Sequence, residues 1–362
     1  MSAIQAQSVQ ETYQIMQAKL RAVVPDVELY IKAELVYEIN RLKQEKNAVI
    51  LGHNYMEPAL FHTIPDFVGD SLALSRMAAE TDKDIIVFCG VEFMAETAKI
   101  LNPTKTVLLP AAHVGCSLAS SITAQDVRNL KAQYPGVPVV TYINTYADVK
   151  AECDICCTSG NAVAVVESLN SDTIIFIPDE YLARNVAQET GKRIIIPSLQ
   201  KNGANGTHAK IDLEMNPVVQ DKFDFIGWHG RCEVHEKFTV QDILDVRAQF
   251  PTVEILAHPE CSPEVVSAAD FSGSTTAMIR RVETSNAPQF LLLTECAMGD
   301  NIIAANPDKE MLRLCSVRCP HMNQITLEDT LDALRYNRYE INVPEDIRLR
   351  AARSVERMIA IG

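Results

Sequence analysis

The chain alternates short apolar runs with longer stretches of helical spacing. The runs are Ala48 to Leu51, Ile85 to Phe88, Val107 to Leu109, Val137 to Ile143, Thr173 to Ile177, Arg193 to Ile196, Phe223 to Ile226, Val253 to Ala257 and Phe290 to Leu293. Most are separated by ten or more residues of helical pattern. That alternation predicts βαβ units with largely parallel, buried sheets. The N-terminal residues, up to about 45, read as one or two lead-in helices. Pro344 to Ile361 reads as a last helix with proline in its first turn. The longest loop is expected at Lys201 to Thr207, among turn-forming Asn and Gly.

Compared with itself, the chain contains a repeat. Cys116 to Asn144 aligns with Cys232 to Glu260 at a constant offset of 116 residues. Thr123, Gln125 and Asp126 match Thr239, Gln241 and Asp242. Ala132-Gln133-Tyr134-Pro135 matches Ala248-Gln249-Phe250-Pro251. The pattern Cys-x6-Thr-x-(Gln/Glu)-Asp occurs a third time, from Cys319 to Asp329. Thr is a helix N-cap, and an Asp three residues on answers it in a capping-box-like start. Each cysteine is therefore expected on a loop just ahead of a capped helix.

The third copy has no strand after its helix. The missing half lies near the other end, where Asn47 to Tyr55 resembles the strands ending at Tyr142 and His258. His53 to Ser71 spans 18 positions, and Tyr142 to Ser159 and His258 to Thr275 span 17 each. The expectation is an α/β fold of three homologous, Rossmann-like, parallel-sheet domains with pseudo-threefold symmetry around a central cluster. Residues 1–110 plus 319–362 would form the first domain, closed by both termini. Residues 111–225 and 226–318 would form the second and third.

Composition narrows the function. The 362 residues are 47% hydrophobic and 22% charged, enough for an ordinary core. A net charge of −14 with no basic run argues against nucleic-acid binding, which needs clustered Lys and Arg. No leader-like N-terminus and no apolar run near ~20 residues are present, so a cytoplasmic protein that does not bind membranes is expected. In that compartment ten cysteines do not read as five disulfides.

Three equivalent loops can bring Cys116, Cys232 and Cys319 to one point. Converging thiolates suggest an iron–sulfur cluster or zinc; three buried cysteines kept by duplication are the alternative. A 4Fe-4S cube held by three cysteines leaves one iron open as a Lewis acid. Residues i and i+2 of a strand share a face, which pairs His53 with Tyr55, Tyr142 with Asn144, and His258 with Glu260. At carboxyl ends of parallel strands such groups can orient a polar substrate and move protons. Ser71, Ser159 and Thr275 lie at or near helix starts, where they either bind an anion or simply cap. His235, close after Cys232, is a further site candidate.

The remaining features read as structural. Cys153-x2-Cys156-Cys157 has no second CxxC at zinc-site spacing. Cys315-x3-Cys319 starts like a radical-enzyme motif, but the third position is Met322. Cys89 ends an apolar strand, and Cys261 and Cys296 have no repeat partner. His62, His113, His208, His229 and His321 read as surface or structural residues.

The segments GHNYMEP, GDSLALS, GVEFMAETAKIL, GCSLA, TYINT, CTSGNA, GWHGRCEVHE, AHPEC, GST and CPHM together resemble the quinolinate synthases, from about residue 32 to the C-terminus. The resemblance implies three homologous domains about a pseudo-threefold axis and one 4Fe-4S cluster on Cys116, Cys232 and Cys319. It implies condensation of iminoaspartate with dihydroxyacetone phosphate to quinolinate, with loss of phosphate and water, for NAD biosynthesis. Substrate contacts carry over to His53, Ser71, Tyr142, Asn144, Ser159, His258, Glu260 and Thr275. Tyr55 matches a tyrosine tied to catalysis, and His258, Glu260 and His235 join it as catalytic candidates. The instability of iminoaspartate suggests hand-over from an L-aspartate oxidase. One departure is the Cys315-x3-Cys319 spacing, where some members carry CxxCxxC. The alternatives are another dehydratase or reductase with a three-cysteine cluster, and a non-enzymatic zinc or redox sensor using Cys153, Cys156 and Cys157.

Overall fold

The computed structural model describes residues 3–112, 114–201, 207–210, 224–312, 314 and 317–361. Helices α1 (Val9–Leu20) and α2 (Asp26–Glu45) lead in. The first unit runs β1 (Ala48–His53), α3 (Pro58–Phe61), β2 (Phe67–Gly69), α4 (Ser71–Glu80), β3 (Ile85–Cys89), α5 (Glu92–Leu101) and β4 (Thr106–Leu108). Its parallel sheet has the order β2-β1-β3-β4. Every residue of β1 is buried, which explains its unbroken apolar run.

The second unit runs α6 (Ala124–Gln133), β5 (Val139–Tyr142), α7 (Ala147–Lys150), β6 (Ile155–Cys157), α8 (Ala162–Glu167), β7 (Ile174–Ile177), α9 (Glu180–Glu189) and β8 (Ile194–Ile195). An antiparallel hairpin, β9 (Ser198–Lys201) with β10 (Thr207–Lys210), precedes β11 (Phe225–Ile226). This sheet is also parallel, in the order β6-β5-β7-β11-β8. The third unit runs α10 (Val240–Gln249), β12 (Glu254–Ala257), α11 (Pro263–Ala268), β13 (Phe271–Ser272), α12 (Thr275–Thr284), β14 (Gln289–Leu293), α13 (Cys296–Ala305) and β15 (Glu310–Leu312). Its parallel order is β13-β12-β14-β15. Helices α14 (Leu327–Tyr336) and α15 (Glu345–Ile359) close the chain.

All nine apolar runs contain strands. The pattern misses β2, β6, β13 and β15 because edge strands of two or three residues are too short to show alternation. Within the expected loop Lys201 to Thr207, residues 202–206 lie outside the described residues, and its flanks pair as the hairpin. Strand β11 carries the second sheet one residue past 225.

In each sheet the first strand sits between the second and the third. Chain direction across the sheet reverses there, and open parallel sheets bind ligands beyond the carboxyl ends at such a point. The repeat extends into side-chain contacts. Thr123 with Asp126 and Thr239 with Asp242 form full capping boxes, and Thr326 caps α14 by accepting from the Asp329 N–H. An aspartate ahead of each edge strand grips the first strand. Asp66, Asp154 and Asp270 accept from the backbone N–H of Ile50, Val139 and Ile255 at 2.9, 2.8 and 2.8 Å.

The two closing helices differ in placement. Helix α14 packs on α2 and β3 of the first unit, and Glu340 bridges to Leu108 of β4. Helix α15 lies in the seam between the first and second units. Its Ser354 donates to the Lys150 carbonyl at 2.9 Å, and Arg76 of α4 donates to the Ile359 carbonyl at 3.2 Å. Pro344 is the N-cap of this helix, just outside its first turn. Among the described residues no helix is long and apolar enough to cross a membrane.

The aspartate grip gives a stability test. Asp154→Ala leaves the Val139 N–H in a buried strand without its side-chain acceptor, at a cost of about 1–3 kcal/mol. Asp154→Asn keeps an acceptor oxygen and should retain most of the stability. Urea denaturation of both variants checks this, and an Asp154→Ala protein as stable as the parent contradicts it.

Candidate active site

The carboxyl ends of the first strands meet at one cavity of about 70 Å³. His53 ends β1, Tyr142 ends β5 and His258 follows β12. His53, Tyr55, Tyr142, Asn144, His258 and Glu260 all line the cavity. So do Ser71, Ser159, Thr275, His235, Cys116, Cys232 and Cys319. Residues far apart in the chain are thus gathered from all three units.

The three cysteine loops have the same local build. Each thiol receives backbone N–H groups from the second and third residues after it: Leu118 and Ala119, Val234 and His235, His321 and Met322. A short 3-10 turn begins at that third residue in every copy. Burial pushes the Cys116 thiol up to about 12 and raises Cys232 and Cys319 as well. Neighbouring charge adds to the rise, since Cys319 acts on Cys116 and Cys116 on Cys232. Soft thiols, each facing two amide donors, and close enough to oppose one another's ionisation, suit a shared cationic group.

A tighter donor set overlaps this one. Among the described residues, Cys232, His235 and Glu260 have donor atoms all within 4.8 Å of one another, the spacing for a single ion.

The helix starts form a second set. Asp70 and Ser274 are the side-chain caps of α4 and α12, accepting from the Ala73 and Ala277 N–H groups. Ser71 and Thr275 therefore do not cap; they are the first residues of their helices and line the cavity. Ser159 lies before α8, whose N-cap is Asn161. Its Oγ is 3.3 Å from His258 Nε2. Ser274 Oγ donates to Asp70 Oδ2 at 3.0 Å, joining the two helix starts. No Lys or Arg lines the cavity among the described residues. Hydroxyls, imidazoles and the amino-terminal ends of α4 and α12 are what it presents to an anion.

Glu260 is the centre of the polar network. Its Oε2 lies 2.6 Å from His235 Nδ1, off the line of the ring N–H, and 3.7 Å from His258 Nδ1. The Asn144 amide donates to Oε1 at 3.4 Å, and Tyr142 also hydrogen-bonds the carboxylate. The His235 and His258 rings stack with centroids 4.5 Å apart. Burial opposes ionisation of Glu260, but the two imidazoles and Tyr142 outweigh it and hold the carboxyl well below its usual range. Burial pushes His258 down to about 3 and His53 down to about 4. Burial, then the Glu260 charge, raises Tyr55 and Tyr142. At neutral pH the cavity therefore holds an ionised carboxylate, neutral His53 and His258, and protonated phenols.

Of the residues that escape sequence reasoning, two extend the polar network. Thr294, just after β14, links Tyr55 to His235: its Oγ1 is 2.6 Å from the Tyr55 hydroxyl and 2.9 Å from His235 Nε2. The signal available is its place directly after the third strand of its unit. His321, read as surface or structural, lines the cavity and pairs with Glu233 at 3.0 Å. It follows Cys319 by two residues, and the two-residue amide contact brings it there.

Each unit also grips the neighbouring unit's site loop. Asn185 of α9 donates to the Pro259 and Cys261 carbonyls at 2.8 and 3.0 Å. Asn301 of α13, 116 positions later, donates to the Asn54 and Met56 carbonyls at 3.2 and 2.9 Å. Glu96 of α5 accepts from the Ala147 N–H at 2.9 Å. The contacts run from first unit to second, second to third, and third to first.

The other cysteines serve the interior. Cys89, Cys153, Cys156, Cys157 and Cys261 are buried, and Cys296 is half-buried. Cys153 Sγ donates to the Val149 carbonyl and Cys156 Sγ to Ser354 Oγ. Burial raises all three thiols of the Cys153, Cys156, Cys157 group. Cys315, His113 and the side chain of His208 lie outside the described residues. His62 is buried, edge-on to Phe61, and His229 Nε2 is 2.5 Å from the Pro197 carbonyl.

The sequence matches the family model described as Quinolinate synthetase A protein over residues 37–360. It is 48% identical to quinolinate synthase 2 of Mesorhizobium japonicum over 354 residues, covering 98% of this chain and 99% of that one. It is 50% identical to the quinolinate synthase of Caulobacter vibrioides, covering 94% and 85% of the two chains. With that of Xylella fastidiosa identity is 51%, covering 91% and 86%.

The loop grips predict a graded response. Asn301→Ala strands two carbonyls of fully buried residues and should lower stability by about 1–3 kcal/mol, more than Asn185→Ala, whose contacts are partly exposed. Denaturation curves give the order, and a reversed order contradicts the reading of these contacts.

Proposed function

The chain belongs to the quinolinate synthase family, and from that premise we propose that it condenses iminoaspartate with dihydroxyacetone phosphate to give quinolinate, phosphate and water. The carrying observation is the shared cavity, which gathers three amide-bound thiols, three helix-start hydroxyls and the Glu260 network. Overall the reaction is redox-neutral, so the cavity has only to bind, orient and move protons. Cys116, Cys232 and Cys319 would hold a 4Fe-4S cluster at the meeting point of three domains related by a pseudo-threefold axis. When bound, such a cluster with three protein ligands supplies an open iron as a Lewis acid.

The chain's own residues have separable tasks. Ser71, Ser159 and Thr275 bind the phosphate or a carboxylate with the starts of α4 and α12. Tyr142 and Asn144 orient substrate against Glu260. Glu260, ionised, accepts a proton as a carbon nucleophile forms, and protonated Tyr55 donates where a hydroxyl leaves as water. His235, bridged to Tyr55 by Thr294, keeps these two proton-moving groups in one network. His53 and His258 are neutral, and so serve as hydrogen-bond partners to polar intermediates. Buried walls exclude bulk water from an imine that water would hydrolyse. That instability favours direct supply by an L-aspartate oxidase, and the free thiol chemistry suits the cytoplasm.

The test is a discontinuous assay on anaerobically purified protein. Wild type should form quinolinate and phosphate in equal amounts from the two substrates together and from neither alone. Glu260→Gln should retain bound iron and lose about 10²-fold or more of the rate, the scale of general acid–base catalysis. Iron-loaded wild type that forms no quinolinate, or an active Glu260→Gln protein, overturns the assignment.

A further inference from the structure

Asn54 stands between two cavity residues, His53 and Tyr55, yet does not itself line the cavity. It is 2% exposed, and its carbonyl is fixed by Asn301. Its side chain turns to the third unit. Asn54 Nδ2 donates to Thr275 Oγ1 at 2.9 Å and approaches Thr276 Oγ1 at 3.4 Å. The corresponding positions in the other two units, Ile143 and Pro259, carry no side-chain donor. This polar contact therefore exists in one of three similar places.

A threonine hydroxyl has one proton and accepts through its lone pairs. With the Asn54 amide occupying the acceptor side, the Thr275 proton is directed to the remaining open side. Thr275 lines the cavity, whose described lining has no Lys or Arg. We propose that Asn54 is a positioning residue for anion binding: it fixes Thr275 as a hydrogen-bond donor, so that this point of the cavity takes a phosphate or carboxylate oxygen and disfavours a donor group. The inference rests on the reading of Thr275 as a substrate contact.

The experiment is a double-mutant cycle on the iron-loaded protein, with Asn54→Leu, Thr275→Val and the pair. Calorimetry measures binding of inorganic phosphate and, separately, of the dicarboxylate malate, which distinguishes the two anion sources. Steady-state assays give KM and kcat, and visible absorbance reports the iron. Asn54→Leu should weaken one of the two probes about tenfold, the value of one hydrogen bond of this kind. The KM of the matching substrate should rise in step while kcat and absorbance stay near wild type. In the Thr275→Val background the Asn54 change should add nothing. Asn54→Ala, which also leaves the carbonyl held by Asn301, serves if leucine is not accommodated. Unchanged binding of both probes in the Asn54 variants, or losses that add to those of Thr275→Val, overturns the inference and leaves Thr275 as a contact. If Thr275→Val itself binds both probes as wild type does, the reading of Thr275 fails and the inference falls with it.

Discussion

Parallel strands expose their polar ends on one side only, and here three sheets expose them to the same cavity. The constraint is topological. In each sheet the first strand lies between the second and third, so its carboxyl end opens at a crevice between diverging connections. His53, Tyr142 and His258 stand at those ends because the apolar runs before them are buried in the sheets. The aspartates that grip Ile50, Val139 and Ile255 hold the strands against their edge partners. The site is thus assembled from the strand ends of three sheets rather than of one.

Electrostatics then decides what the cavity can do. Glu260 is buried but ionised, because imidazoles and a phenol surround it. Tyr55 and Tyr142 keep their protons because burial and that same carboxylate oppose phenolate. A base and two acids coexist at neutral pH without any lysine or arginine in the described lining. Under the proposed function, hydroxyls and helix ends would meet anionic substrates locally, against the overall sign of a chain of net charge −14.

Much of this was legible in the sequence, because duplication writes tertiary equivalence into one dimension. The Cys-x6-Thr-x-(Gln/Glu)-Asp pattern located the three loops, and capping physics located the helices behind them. Strand-end alternation located His53, Tyr142, His258 and their i+2 partners. Ser71 and Thr275 do stand at helix starts, but of the two alternatives for them the capping one is displaced by one residue, since Asp70 and Ser274 take the caps. The roles of Thr294, His321 and Asn54 were not legible, although Thr294 stands directly after a strand and His321 two residues after a repeat cysteine. Their roles depend on contacts between units, which a repeat along the chain does not record. The seam position of α15 was hidden for the same reason: amphipathicity shows that a helix packs, not on what.

The grips from one unit to the next tie the three units together around the cavity. Asn185, Asn301 and Glu96 each reach forward to the next unit's loop, in a ring that closes on itself. A closed ring of head-to-tail contacts is the arrangement expected of three related units around an axis. The central claim is that the thiols of Cys116, Cys232 and Cys319 meet at that axis to hold one cluster. Anomalous diffraction at the iron edge from anaerobically grown crystals tests it most directly. The account predicts a single iron peak group bonded to all three sulfurs. A lone ion on Cys232, His235 and Glu260, or iron bound away from Cys116 and Cys319, would contradict it.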